Sequence, residues 1–365
     1  MLNQTRLHLL TDLMTERGWD LLLLYGHTWR KDFFRYLVNA NFQGAHAAAS
    51  LSRSGDVRVI LADPWDYEMV SAALEGGVSL ERDFTKGLRG LVSESKGGAV
   101  ATGGMEMMEA RFVDAIREST NRAPVSATPF VEELRRIKTP DEMERIQKAA
   151  ELADRGYEHF AQAAEIGMAE YELVAETEAF LKENGAEDNF MLIASGGVEV
   201  VGMTPPKERR FQEGDHVITE LTPQIDGYWA QICRTLILGE PSDKQRESFA
   251  IFAEARQAAE DILKPGVDIA DVAKAQNDVF RKYGYGEYTG PKYTRVRGHN
   301  LGLHPDENPY VLEDVHYTVR ENMVIIAHPN TYLPLAGYMV FGDTMRVTAN
   351  GCTSFNKAER KLFQK

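Results

Sequence analysis

The chain has 365 residues, 43% of them hydrophobic and 26% charged, enough to bury a large core and build two domains without covalent staples. Its formal net charge of −14 disfavours nucleic acid and anionic membranes as partners, because both reward clustered Lys and Arg. Two cysteines, Cys233 and Cys352, do not make a disulfide framework. No stretch reaches the roughly 18 apolar residues of a membrane span. The start MLNQTRLHLL lacks a basic region followed by a sustained apolar run, so a cytoplasmic protein is expected.

The first third alternates helix and strand. Leu7, Leu10, Leu13 and Met14 fall at helical spacing, which predicts a helix over 5–18 ending near Gly18. Residues 21–25 predict a short buried strand. A second strand is predicted over 57–62, after the turn Arg53-Ser54-Gly55-Asp56, and a helix over 65–75. The glycine-rich stretch Gly97–Gly104 reads as a loop beside a strand. A small α/β domain over 1–130 accounts for this pattern.

The segment 131–160 is charged and strongly helical, with Thr139-Pro140-Asp141-Glu142 as a helix start. Beyond it the pattern predicts a helix over 170–184, strands near 191–195 and 216–221, and a hairpin at Asp226-Gly227. A helix over 243–264 closes at Pro265-Gly266, and strands follow near 323–328 and 338–348. These elements form a second domain, 131–365.

From Leu134 onward a series of landmarks runs in one order. It begins with LRRIKTPDEMERIQKAAELAD, then Ser195-Gly196, Gly214-Asp215, Gly227-Tyr228, and Arg234-Thr235 with Gly239 beyond. Lys264-Pro265-Gly266-Val267, Gly298-His299 with Gly302-Leu303, Asn322-Met323-Val324 and Asp343-Thr344-Met345-Arg346-Val347 complete it. The series resembles the pita-bread (M24) family of creatinase, aminopeptidase P and prolidase. The resemblance implies an α/β (α+β) chain: a small N-terminal α/β domain followed by a C-terminal pita-bread domain.

Metal enzymes of that family hold two ions with two Asp, one His and two Glu. The positions matching those ligands here carry Glu220, Gln231, His299, His328 and Gly342. Only the His is kept by identity and Glu220 by chemistry. A neutral amide and a glycine remove most of the anionic screening that two close dications need. Two further histidines usual in the family correspond to Met203 and Asp306.

These departures predict no resident metal and no other cofactor, and place the chain closest in character to the family's metal-independent, creatinase-like members. The expected activity is hydrolysis of a C–N bond in a small polar metabolite. The alternatives are a non-catalytic pita-bread binding module, a lyase, or an Xaa-Pro peptidase-like enzyme with one metal ion.

His299 and His328 are the candidate proton carriers, with Glu220 orienting one of them. Cys233 is a candidate nucleophile or pocket wall, since a thiol reacts only where a neighbour lowers its pKa. Gln231 is a candidate donor to a developing oxyanion. His304, Asp306, Glu307, Tyr228 and Arg297 are candidate substrate contacts. In this family a partner subunit's small domain commonly completes the pocket. A homodimer is therefore expected, and the segment His27–Arg35, with Trp29 and Arg30, is the place to look for that loop.

Overall fold

Four consecutive leucines, Leu21–Leu24, form a strand buried on both faces, so no polar alternation is needed. This strand, β1 (Leu21–His27), lies inside a six-stranded sheet ordered β4-β3-β2-β1-β5-β6. The others are β2 (His46–Ser52), β3 (Val57–Leu61), β4 (Val78–Leu80), β5 (Val100–Gly103) and β6 (Val125–Ser126). Helices α1 (Gln4–Arg17), α2 (Asp32–Leu37), α3 (Tyr67–Ala73), α4 (Phe84–Ser93), α5 (Ala110–Thr120) and α6 (Thr128–Arg136) complete this part. Leu21, Leu23 and Tyr25 pack with Phe84, Leu88 and Phe112 of α4 and α5. The computed structural model describes residues 2–74 and 76–365. The chain divides into two compact units, Met1–Thr139 and Pro140–Lys365.

The second unit combines a ten-stranded sheet with four α-helices among its described residues. Its helices are α7 (Pro140–Ala163), α8 (Glu170–Glu183), α9 (Asp243–Ile262) and α10 (Ile269–Lys282). Its strands are β7 (Asp188–Gly196), β8 (His216–Ile225), β9 (Tyr228–Trp229), β10 (Ile232–Ile237), β11 (Gly298–Asn300), β12 (Glu307–Tyr310), β13 (Val324–Ala327), β14 (Asn330–Leu333), β15 (Gly337–Val340), β16 (Gly342–Thr348), β17 (Gly351–Ser354) and β18 (Phe363–Gln364). The main path runs β12-β11-β13-β16-β10-β8-β7, with β9, β17 and β18 added at its sides and β14-β15 forming a separate hairpin.

Alternation along β8 and β10 divides the side chains between two layers. Val217, Leu221, Ile232 and Leu236 join Leu152, Tyr157 and Phe160 of α7 in one core. On the same helix-facing side, Asp343 is gripped by Arg234 at 2.7 Å, Arg256 at 2.7 Å and Arg360 at 3.1 Å. That buried cluster ties β10, β16 and α9 together and leaves the opposite face of the sheet free for the site.

Most predicted elements are present with shifted ends. The 131–160 segment is two helices, broken between Arg136 and Pro140, with Asp141 and Glu142 in the first turn of α7. The predicted 65–75 helix is a 3-10 turn, Pro64–Asp66, followed by α3; residue 75 lies outside the described residues. The predicted strand 338–348 is two strands, because β15 pairs with β14 whereas β16 joins the main sheet. Asp226 and Gly227 both take positive φ, 49° and 85°, as a two-residue hairpin turn between β8 and β9 requires.

Candidate active site

Register places the candidate residues in one row across the sheet. Cys233 of β10 pairs with Glu220 of β8 on one side and with Gly342 of β16 on the other. His299 of β11 pairs with Ile326 of β13, and His328 follows directly after β13, two residues beyond Ile326. Directly opposed residues, and residues two apart, share a face. Glu220, Gln231, His299 and His328 therefore point to the side away from α7. They meet in a cavity of about 440 Å³, joined there by His304, Asp306 and Asn330.

The polar groups of the cavity floor are sparsely paired within the protein. His328 is 3% exposed, and neither ring nitrogen has a hydrogen-bond partner in the protein. Its Nδ1 stands 3.9 Å from the Glu220 carboxylate, beyond hydrogen-bond range. Burial holds the His328 imidazole well below its ordinary pKa, and the neighbouring His299 adds to this. The His299 and His328 rings sit edge to face with centroids 5.3 Å apart.

His299 Nδ1 lies 3.0 Å from the Asn300 carbonyl and 3.5 Å from Asp306 Oδ1. Burial lowers its pKa, partly offset by Asp306. Glu220 is pushed up to about 7, mainly by burial and then by the charge of Asp306, against a hydrogen bond from Asn330. The walls are apolar: Phe190, Leu192, Val296, Pro305 and Tyr310.

The structure thus brings together Glu220, Gln231, His299, His304, Asp306 and His328. The remaining sequence candidates do not line that cavity. Cys233 is fully buried, accepts a hydrogen bond from Gln231 Nε2 at 3.4 Å, and has its thiol raised well above the ordinary value by burial. That direction disfavours the thiolate, the reactive form of a cysteine. The same contact turns the Gln231 amide nitrogen toward Cys233.

Arg297 is fully buried and holds backbone: it donates to Asn277 Oδ1 at 2.7 Å and to the carbonyls of Thr294 and Asn330 at 2.8 and 2.9 Å. Glu307 accepts from the His304 N–H and from Asn300 Nδ2, so it shapes the loop rather than the cavity surface. Tyr228 is buried and donates to Glu142 of α7 at 2.9 Å. Trp29 and Arg30 belong to the first unit, where Trp29 is 87% exposed and Arg30 pairs with Asp32 at 3.0 Å. Sequence reading missed Asn330 and Tyr338. Asn330 follows Pro329, two residues after His328, with no motif of its own. Tyr338 is buried near Glu220, and only the fold reveals that proximity.

The model of metallopeptidase family M24 matches residues 144–349, more than half of the chain. The chain belongs to family M24. It is 29% identical over 318 residues to an Xaa-Pro dipeptidase of Pyrococcus horikoshii, covering 85% of this chain and 87% of that protein. It is 33% identical over 235 residues to an Xaa-Pro dipeptidase of Pyrococcus furiosus, covering 64% and 66%. Among solved structures, the prolidase from Pyrococcus horikoshii OT3 superposes with a TM-score of 0.85 at 25% identity, covering 98% of this chain and 99% of that one.

These relatives correct the expected activity. The reading of a metal-independent, creatinase-like hydrolase of a small polar metabolite is overturned, because the M24 relatives are Xaa-Pro dipeptidases in a family of metallopeptidases. An M24 assignment also implies a metal centre, and the side chains at its ligand positions do not fit a pair of ions. Gln231 is neutral and turned to Cys233. At Gly342 a Cβ would lie 2.5 Å from His328 Cβ and 2.7 Å from the Ala327 carbonyl, so no carboxylate can start there. Among the described residues, no group of three or more His, Cys, Asp or Glu is arranged to hold an ion.

Proposed function

We propose that the chain is a peptide hydrolase of the Xaa-Pro dipeptidase type, cleaving the C–N bond that precedes proline in a short peptide. One observation carries this reading: Glu220, His299 and His328 converge on a cavity of about 440 Å³, the size for a small peptide, on a scaffold shared with a prolidase. A carbonyl can only accept, so His299 Nδ1 carries its proton toward Asn300 and Nε2 offers a lone pair. His299 takes a proton from the attacking water as the water oxygen bonds to the peptide carbonyl carbon.

Neutral His328 donates its N–H to the developing oxyanion, as a low-pKa imidazole can. Glu220, kept protonated into the neutral range by its burial, gives its proton to the leaving proline nitrogen as the C–N bond breaks. The proton on His299 then restores Glu220 through solvent, leaving an acid and an amine.

The proposal includes a homodimer in which the Trp29 loop of a second copy covers the cavity, supported by the 87% exposed indole. It also keeps the cytoplasm as the working compartment, in line with two unpaired thiols. No described helix is long and apolar enough to cross a membrane.

The test is product formation from Xaa-Pro peptides of two to four residues, and from their amides, with and without added Mn²⁺. Release of proline or a prolyl product supports the reading. No turnover of any of these substrates under either condition sinks it.

A further inference from the structure

We infer that the first unit holds a ligand site of its own: a cavity of about 520 Å³ that binds a free aromatic amino acid in its zwitterionic form. The volume falls within the range of small-molecule pockets, about 300–1,000 Å³. All the described residues that line it belong to this unit, and none takes part in the peptide chemistry proposed above. Open α/β sheets bind ligands outside the carboxyl ends of their parallel strands, and the cavity lies there. β3 and β4 run parallel, with Leu61 opposite Leu80 at their carboxyl ends. Ala62, Asp63 and Trp65 follow β3, whereas Arg82, Asp83 and Phe84 follow β4, and all six line the cavity.

The segment after β3 is anchored by its carboxylates. Asp66 accepts the Gln43 and Gly44 N–H groups, each at 2.7 Å, and Asp63 accepts that of Ala45 at 2.8 Å. The fit is close, since a Cβ at Gly44 would lie 2.5 Å from Asp63 Oδ2. Trp65 stands between these two anchored residues, in the 3-10 turn Pro64–Asp66, yet it is 65% exposed. An indole held out to water on a fixed turn is a preformed face for a planar ligand group. The inner wall is aromatic too: His46 packs against Phe84 and Phe112 with ring centroids 5.3 and 5.0 Å apart. Its own nitrogens are occupied, Nδ1 2.8 Å from the Tyr25 hydroxyl and Nε2 3.2 Å from Glu109.

Charge decides the polar ends of the ligand. The wall carries two guanidinium groups, Arg82 and Arg111, and two carboxylates, Asp63 and Asp83. A balanced set disfavours a simple anion or cation and suits a small molecule that carries both signs. Two of the four are committed: Arg111 pairs with Glu109 at 2.7 Å, and Asp83 caps α4 by accepting the Lys86 N–H at 3.1 Å. Arg82 has no hydrogen bond or ion pair among the described residues, and its planar fork can take a carboxylate through two hydrogen bonds. Asp63 is half-buried and gives Oδ2 to Ala45, which leaves Oδ1 for an ammonium group. The amino acid's carboxylate is thus placed on Arg82, its ammonium group on Asp63 and its ring on Trp65.

The experiment is isothermal titration calorimetry of the full chain with L-phenylalanine, L-phenylalanine amide and N-acetyl-L-phenylalanine. The first keeps both charges, the second lacks the carboxylate and the third lacks the ammonium group. L-Phenylalanine should bind at one site per chain, at least about ten-fold more tightly than either analogue. Arg82→Gln changes an exposed side chain, with an unchanged melting temperature as the folding check. It should weaken L-phenylalanine at least about ten-fold and remove its advantage over the amide. Asp63→Asn keeps the acceptor for Ala45 and should remove the advantage over the acetylated compound. An analogue that binds as tightly as L-phenylalanine, an affinity unmoved by Arg82→Gln, or no binding up to about 10 mM overturns the inference. Each of these results leaves the Xaa-Pro hydrolase reading standing, because neither Arg82 nor Asp63 lines the cavity around Glu220.

Discussion

Glu220 is the residue on which the proposed chemistry turns. Glu220→Gln removes the proton donor but keeps shape and burial. The expected outcome is a fall in kcat/KM of at least about 100-fold, the lower range for losing a general acid. The melting temperature should stay level or rise, since burial already disfavours the charged carboxylate. Loss of stability along with activity would mean that Glu220 is a structural ion, not an acid. Gly342 makes a second prediction at this scale. Its φ is ordinary, so its need for glycine is steric: His328 and the Ala327 carbonyl occupy the Cβ position. Gly342→Ala should therefore cost about 1–3 kcal/mol in urea unfolding, the range for overpacking. A variant as stable as the parent would show that His328 moves aside easily. The departures at residues 328 and 342 are thus one steric unit, which a comparison of single letters does not reveal.

Strand β8 carries a pH dependence that has nothing to do with chemistry on a substrate. Its first residue, His216, is fully buried, and neither ring nitrogen has a partner. Burial lowers its pKa to about 4, against the pull of Asp215 and Glu199. The unfolded chain binds a proton there as pH drops through about 6.5, whereas the folded chain stays neutral down to about 4. Stability is therefore complete above pH 6.5 and falls as pH drops toward 4, by up to about 3 kcal/mol from this residue. His328 works in the same direction. Urea midpoints at pH 7 and pH 5 should differ less in His216→Leu than in the parent. An equal difference in both would assign the acid sensitivity to other groups. At the element scale, the strands were readable because apolar runs such as Leu21–Leu24 and Val217-Ile218 have no competing helical period. The break at Phe341 was not readable, since residues 338–348 form one continuous strand-like pattern and only the pairing of β15 with β14 divides them.

Each unit has its own hydrophobic core, one around Leu23, Tyr25 and Phe84, the other around Tyr157, Phe160 and Leu221. The proposed dimer makes a prediction for the whole assembly. Trp29→Ala should raise KM by about 5- to 30-fold, the 1–2 kcal/mol of an aromatic anchor. Its melting temperature should not change, because an indole 87% exposed contributes little to its own unit. Light scattering should give twice the chain mass for parent and variant alike. A monomer, or an unchanged KM, would remove the Trp29 loop from the active site.

By itself the sequence determined the chemistry available along each strand and the order of the landmarks from Leu134 to Val347. It therefore determined the family and the α/β layout. The resemblance of those ordered landmarks to the family, rather than any local period of the chain, placed Glu220, Gln231, His299 and His328 at positions of one site. Only the tertiary structure decided what each of these groups can do. Burial, not residue type, raises the pKa of Glu220 and Cys233 and lowers that of His299 and His328. Arg297 and Glu307 look like substrate contacts in the sequence, but folding commits them to backbone and loop. Asn330, Phe190 and Tyr310 join the cavity from distant strands without any motif, because a pocket wall needs only proximity, and proximity between remote residues is set by which strands pair.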